Sequence, residues 1–106
     1  TVFADPPIAE AGEDVIANAN DKVELDSDKS FDPNGEIVNF TWTRLPDNNV
    51  RCSGEAETCM TYALGRAEEF IELKVTDDDG LTDSDTLRII TALIFDILLA
   101  YLVFIS

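Results

Sequence analysis

The chain has no histidine among its 106 residues, and only seven Lys and Arg stand against 22 Asp and Glu. It therefore lacks the side chain that most often serves as general base and as transition-metal ligand. A formal net charge of −15 repels nucleic acid and anionic membrane surfaces and favours cations and solubility. No basic patch interleaved with aromatics is present, so nucleic acid is not an expected partner. No Gly-rich phosphate loop and no nucleophile–base arrangement is found either. Carboxylates are so numerous that some pair would suit a glycosidase by accident, and no weight attaches to one. The expectation is a protein that is not an enzyme and requires no cofactor. Met60 is the only methionine, so Thr1 is not an initiator residue. No leader pattern stands at the front, and export with the leader removed, or a fragment, is the expected history.

What is present is unevenly spread. The length suits one domain with one core, and a hydrophobic content of 45% is ordinary. Residues 92–106 hold a single acid, Asp96, and no base, so residues 1–91 carry 21 acids against seven bases, a net of −14. Cys52 and Cys59 lie in VRCSGEAETCM, a loop-like stretch. Their count and spacing suit a local disulfide in an oxidising compartment, worth about 2–3 kcal/mol on the chain-entropy model. The alternative is two reduced thiols. Zinc would need two more soft ligands.

The Pro pair and Gly of the opening predict an extended lead-in. DVIANAN and KVELDSD alternate as two short strands about a turn at Asn20 and Asp21. SFDPNGEI is turn chemistry, with Asp32 accepting backbone hydrogen bonds and Asn34 and Gly35 expected at positive φ. In IVNFTWTRL the alternation sets Val38, Phe40 and Trp42 on the core face, with Asn39 and Thr41 opposite. LPDNN is a further turn, and TCMTYAL a short strand. EFIELKVTD sets Ile71, Leu73 and Val75 inward, DDDGLTDSD turns, and TLRIIT is the last strand. About seven short strands without a helix describe an all-β, antiparallel β-sandwich.

Three segments also match a known pattern in order: PPIAEAGED, LDSDKSFDPNGEIVNFTW and FIELKVTDDDGLTDSDTLRI. They resemble the PKD (polycystic kidney disease) domain, with its Pro-Pro-x-Ala-x-Ala-Gly entry, its Asp-Pro-Asp-Gly-type turn before a Trp strand, and its Val-x-Asp-x-x-Gly turn. The resemblance spans about residues 6–91. It implies an immunoglobulin-like sandwich in extracellular or cell-surface proteins, non-catalytic, which spaces, adheres, binds partners or assists polysaccharide- and collagen-degrading enzymes. Residues 1–5 are then a lead-in and residues 92–106 an appended tail. The two-cysteine stretch is not typical of microbial members, and the tail lies outside the family pattern.

Asp32, Asp77 and Asp79 are the candidate metal ligands. Calcium wants six to eight oxygens, mostly carboxylate and carbonyl, and some PKD domains similar to this one bind it through acidic loops. The alternative is that Asp32 and Asp77 cap turns through their own backbone and the other acids are solvated. Asn39, Phe40 and Thr41 form a glycosylation sequon on the face opposite Trp42, so a glycan at Asn39 is a second candidate modification.

The tail, ALIFDILLAYLVFIS, decides the assembly expectation. The apolar run over 89–105 is 17 residues, interrupted by Thr91 and Asp96, where a spanning helix needs about 20. Asp96 would add roughly 2.5–3.5 kcal/mol to insertion, and no Lys or Arg follows Arg88. Membrane anchoring is therefore the weaker reading. Burying the tail's bulky residues gains little more than ordering its backbone costs, so one sandwich face is insufficient cover and a neighbouring copy is the natural one. As a strand, Leu93, Phe95, Ile97, Leu99, Tyr101, Val103 and Ile105 form one face; as a helix, the tail is apolar all round. The expectation is a subunit of an extracellular fibre or filament, a homo-oligomer joined through this tail. The alternative is a PKD-type adhesion or binding module, for carbohydrate or protein, of a larger secreted or membrane-anchored protein.

Overall fold

The computed structural model describes residues 5–91. The assembly residues Leu93, Phe95, Ile97, Leu99, Tyr101, Val103 and Ile105 lie outside them. Seven strands follow in order: β1 (Val15–Ala17), β2 (Lys22–Asp26), β3 (Ile37–Leu45), β4 (Asn49–Gly54), β5 (Thr58–Tyr62), β6 (Glu68–Asp77) and β7 (Thr82–Thr91). Among the described residues there is no helix. One sheet runs β1-β7-β6-β3-β4 and the other pairs β2 with β5. The two strands flanking Asn20 and Asp21 do not pair with each other: β1 joins the large sheet and β2 the small one. The pairing of β1 with β7 is parallel, whereas the other strand pairs are antiparallel.

Period-two alternation decides which side chains face in. Phe40 and Trp42 of β3, Ile71, Leu73 and Val75 of β6, and Leu87 and Ile89 of β7 are buried against Val23, Leu25 and Cys59 of the small sheet. Each such side chain stabilises by about 1.5–3 kcal/mol relative to exposure. Val38, expected inside, is instead 43% exposed. The β3–β6 register slips between Ile37 and Asn39, which reverses the phase and packs Ile37 against the core.

The alternation also carries two charges inward. Arg44 follows Trp42 on β3 and Glu69 precedes Ile71 on β6, and both are buried. Arg44 Nε lies 3.4 Å from Glu69 Oε1 as an ion pair that is not aligned as a hydrogen bond. Arg44 Nη2 donates to Tyr62 O at 2.7 Å, and Leu64 N–H donates to Glu69 Oε2 at 2.9 Å. Removing one partner of such a pair costs about 3–5 kcal/mol, because the other charge stays buried.

The cysteine stretch, expected to be loop-like, is the end of β4, the short loop 55–57 and the start of β5, with both cysteines on the strands. The Cys52–Cys59 disulfide therefore joins an edge of the large sheet to the small sheet, with Cα atoms 6.0 Å apart.

The lead-in runs up the side of β7. Ala9 N–H donates to Asp83 Oδ2 and Ala11 N–H to Asp85 Oδ2, both at 2.8 Å. Asp14 Oδ1 accepts from Arg88 N–H at 2.9 Å, and Val15, Ile16 and Ala17 then pair with Ile89, Ile90 and Thr91. Residues 9 and 91 thus sit at opposite poles, about 25–30 Å apart at the rise of a strand.

Candidate metal centre

Two loops meet at the pole where the lead-in enters. The first, residues 27–36, connects β2 to β3, and the second turns from β6 into β7. The second is built on Asp77, whose Oδ1 accepts from Asp79 N–H at 2.9 Å and Leu81 N–H at 2.7 Å. Gly80, at φ 86, closes this turn by donating its N–H to Asp77 O. The turn is pinned across the pole where Asp78 N–H donates to Glu36 O at 3.0 Å. In the first loop, Asn34 N–H donates to Asp32 Oδ1 at 3.1 Å.

The result is a set of three carboxylates. Asp32, Asp77 and Asp78 each offer one oxygen within 4.8 Å of the others. Asp77 is 1% exposed, and its Oδ2 has no hydrogen-bond partner; Asp32 Oδ2 is likewise buried and unpartnered. An ionised oxygen left this way is costly unless a cation or proton compensates it. Burial pushes the Asp32 carboxyl above its usual range, and the Asn34 N–H opposes it. The facing Asp77 carboxyl, close enough to share a proton in the absence of a cation, adds to the rise, as do the charges of Asp77 and Asp78. The donors are hard oxygens and suit calcium or magnesium rather than a soft metal.

Gly35 belongs to the centre for a reason the sequence did not suggest. Neither Asn34 nor Gly35 has a positive φ. A Cβ at position 35 would instead meet Asp78 Oδ1 at 2.5 Å and Asp32 Oδ2 at 3.2 Å. Glycine leaves room for the carboxylates to converge.

Asp79, a predicted ligand, is exposed and contributes only its backbone N–H to the turn; Asp78 stands in the cluster in its place. The Asp78–Glu36 backbone contact selects between them, and nothing in the run Asp77, Asp78, Asp79 marks that contact. Beside the cluster lies an open cleft of about 300 Å³, lined by Phe31, Asp32, Glu36, Ile37, Glu55 and Glu57 among others. Its acids concentrate a negative field on the same pole.

A family model for the K319L-like PKD domain matches residues 11–91. The chain belongs to the PKD domain family. Among solved structures, this PKD domain is similar to the PKD domain from the KIAA 1837 protein, with a TM-score of 0.63 and 21% identity over 86% of this chain and 90% of that one. It is similar to the PKD1 domain of Vibrio anguillarum Epp, with a TM-score of 0.62 and 20% identity over 86% and 99%. A chain from a study of carbohydrate-binding modules of the β-sandwich superfamily gives a TM-score of 0.71 and 21% identity; this chain spans 86% of itself but only 36% of that one. At such identities the likeness is one of fold. No curated protein matches the sequence.

The sequon lies apart from the metal centre in this PKD domain. Asn39 is half-buried on the outer face of the five-stranded sheet, and its Oδ1 accepts from Gly54 N–H at 3.0 Å. Thr41 Oγ1 is 3.2 Å from Ser53 Oγ. Phe40, Trp42, Ile71, Leu73 and Val75 lie in the core and position β3 and β6, whose ends carry the two loops of the centre.

Proposed function

We propose that this PKD domain is a non-enzymatic, calcium-binding adhesion or binding module of an extracellular or cell-surface protein. One observation carries the calcium: the buried Asp77 carboxylate leaves Oδ2 without a partner, and Asp32 and Asp78 are drawn up around it. Asp32, Asp77 and Asp78 would hold the ion, with water or backbone carbonyls completing the shell. The family match and the disulfide support the compartment, since such a bond persists where conditions are oxidising. Millimolar calcium outside cells suits the modest affinity typical of extracellular modules, roughly 10⁻⁴–10⁻³ M. The partner class is carbohydrate or protein, and the sequon would carry a glycan at Asn39.

Calcium titration by calorimetry, with thermal unfolding in parallel, tests the reading. Calcium at a hundredfold excess over its dissociation constant should stabilise by about 2.7 kcal/mol, and Asp77→Asn should abolish both the heat and the stabilisation. A parent protein that gives no heat and unfolds at the same temperature with calcium and with chelator would overturn it.

A further inference from the structure

The first loop of the metal centre also holds the lead-in. Phe31, the residue before Asp32, forms an isolated bridge with Ile8: Ile8 N–H donates to Phe31 O at 2.7 Å and Phe31 N–H donates to Ile8 O at 3.1 Å. One residue earlier, Ser30 Oγ accepts from Glu10 N–H at 2.8 Å. The bridge lies outside any ladder and its side chains are exposed, Ile8 at 44% and Phe31 at 52%. Its loop side therefore opens more easily than its lead-in side, where Pro7 and Ala9 are buried and Ala9 N–H is tied to Asp83. Pro6 and Pro7 stand immediately upstream, each with φ fixed by its ring. Whatever orients Ile8 therefore orients the chain before it.

Resting on the calcium reading above, we infer that the cation is a clamp on the entry segment: by drawing Asp32 onto Asp77 and Asp78, it fixes residues 30–32 and with them the bridge to Ile8. Without the cation, three converging carboxylates repel one another, and residues 30–32 are the stretch that yields. Asp77 is held by two backbone N–H donors, and Asp78 by its bond to Glu36, which anchors the far end of the loop bearing Asp32 but not residues 30–32. With the cation, loop and lead-in close together. Linkage makes the coupling reciprocal, so a lead-in held closed raises calcium affinity by the same factor. Calcium would then set how stiffly this module is joined to whatever lies upstream.

Amide hydrogen exchange on the full chain, read residue by residue by NMR with calcium chloride or with chelator, tests this. The internal comparison is a similar loop contact at the other pole, where Asn20 N–H donates to Ala63 O and Ala63 N–H to Asp21 O. Calcium should slow exchange at Ile8 and Phe31 by about tenfold or more, while Asn20 and Ala63 change by less than about twofold. Asp78→Asn should remove the difference. If calorimetry shows calcium bound but both poles slow equally, or neither slows, the clamp is wrong and the site stands. If no calcium binds, the site itself falls.

Discussion

Replacing Gly35 with alanine separates the metal centre from the fold that builds it. The new Cβ would lie 2.5 Å from Asp78 Oδ1, the end of an exposed side chain that can rotate away. Stability should change by less than about 1 kcal/mol in chemical denaturation, while calcium affinity falls at least about tenfold by calorimetry. Unchanged affinity would mean that Asp78 is not a ligand. Asp14 makes a different point, about acid. Its carboxylate takes the Arg88 backbone N–H at 2.9 Å and Nε at 3.0 Å. The backbone bond first, and the side-chain bond second, hold its pKa below the ordinary 3.8. The folded state thus favours the charged form. That stabilisation is complete above about pH 4 and disappears as pH falls through the lower folded value. Asp14→Asn should lower the unfolding temperature at neutral pH and flatten its decline between about pH 4 and 2. A decline as steep as the parent's would show that Asp14 contributes nothing to acid sensitivity.

The disulfide is an element-scale device, because in closing the short 55–57 loop it also ties β4 to β5 across the two sheets. The small sheet has only two strands, and a two-stranded ribbon has little stability of its own. Replacing both cysteines with alanine should cost about 2–3 kcal/mol on the loop-entropy estimate, or roughly 10–20 °C in unfolding temperature for a domain of this size. Calorimetric scans of the parent and the double variant measure it, and equal temperatures would make the staple idle. The strands themselves were legible in the sequence because β3 and β6 alternate over nine and ten residues, enough for the period to override single exceptions. Val38 was misplaced because a register slip leaves no mark in the residue types. The parallel partnership of β1 was hidden because pairing depends on where the chain travels after Asn20. Arg44 and Glu69 could have been found: they fall on the inward phase beside Trp42 and Ile71, one of each sign. The centre was half legible. Asp32 and Asp77 announce themselves as turn residues, whereas the choice of Asp78 over Asp79 goes with the two contacts Asp78 makes to the Glu36 backbone, through its N–H and its Oδ1.

Over the whole molecule, charge is divided between the poles. The loops 27–36, 55–57 and 78–81 carry Asp28, Asp32, Glu36, Glu55, Glu57, Asp78 and Asp79 against one base, Lys29. At the far pole the loops 18–21, 46–48 and 63–67 hold Asp21 and Asp47 against Arg66. The apolar residues 92–106 continue the chain from Thr91 at that less charged pole. A polymerising role rests on their sequence alone, and light scattering on the full chain and on a chain ending at residue 91 decides it. Large particles from the first and monomers from the second would support a fibre, and equal sizes would end that reading. The parallel run of β1 beside β7 has a mechanical side as well. A load drawn between the two poles pulls these strands in opposite directions along their length. The three backbone pairs and the Asp14–Arg88 contact then bear the strain at once instead of parting one by one, so tension meets a latch where an antiparallel hairpin would offer a zipper.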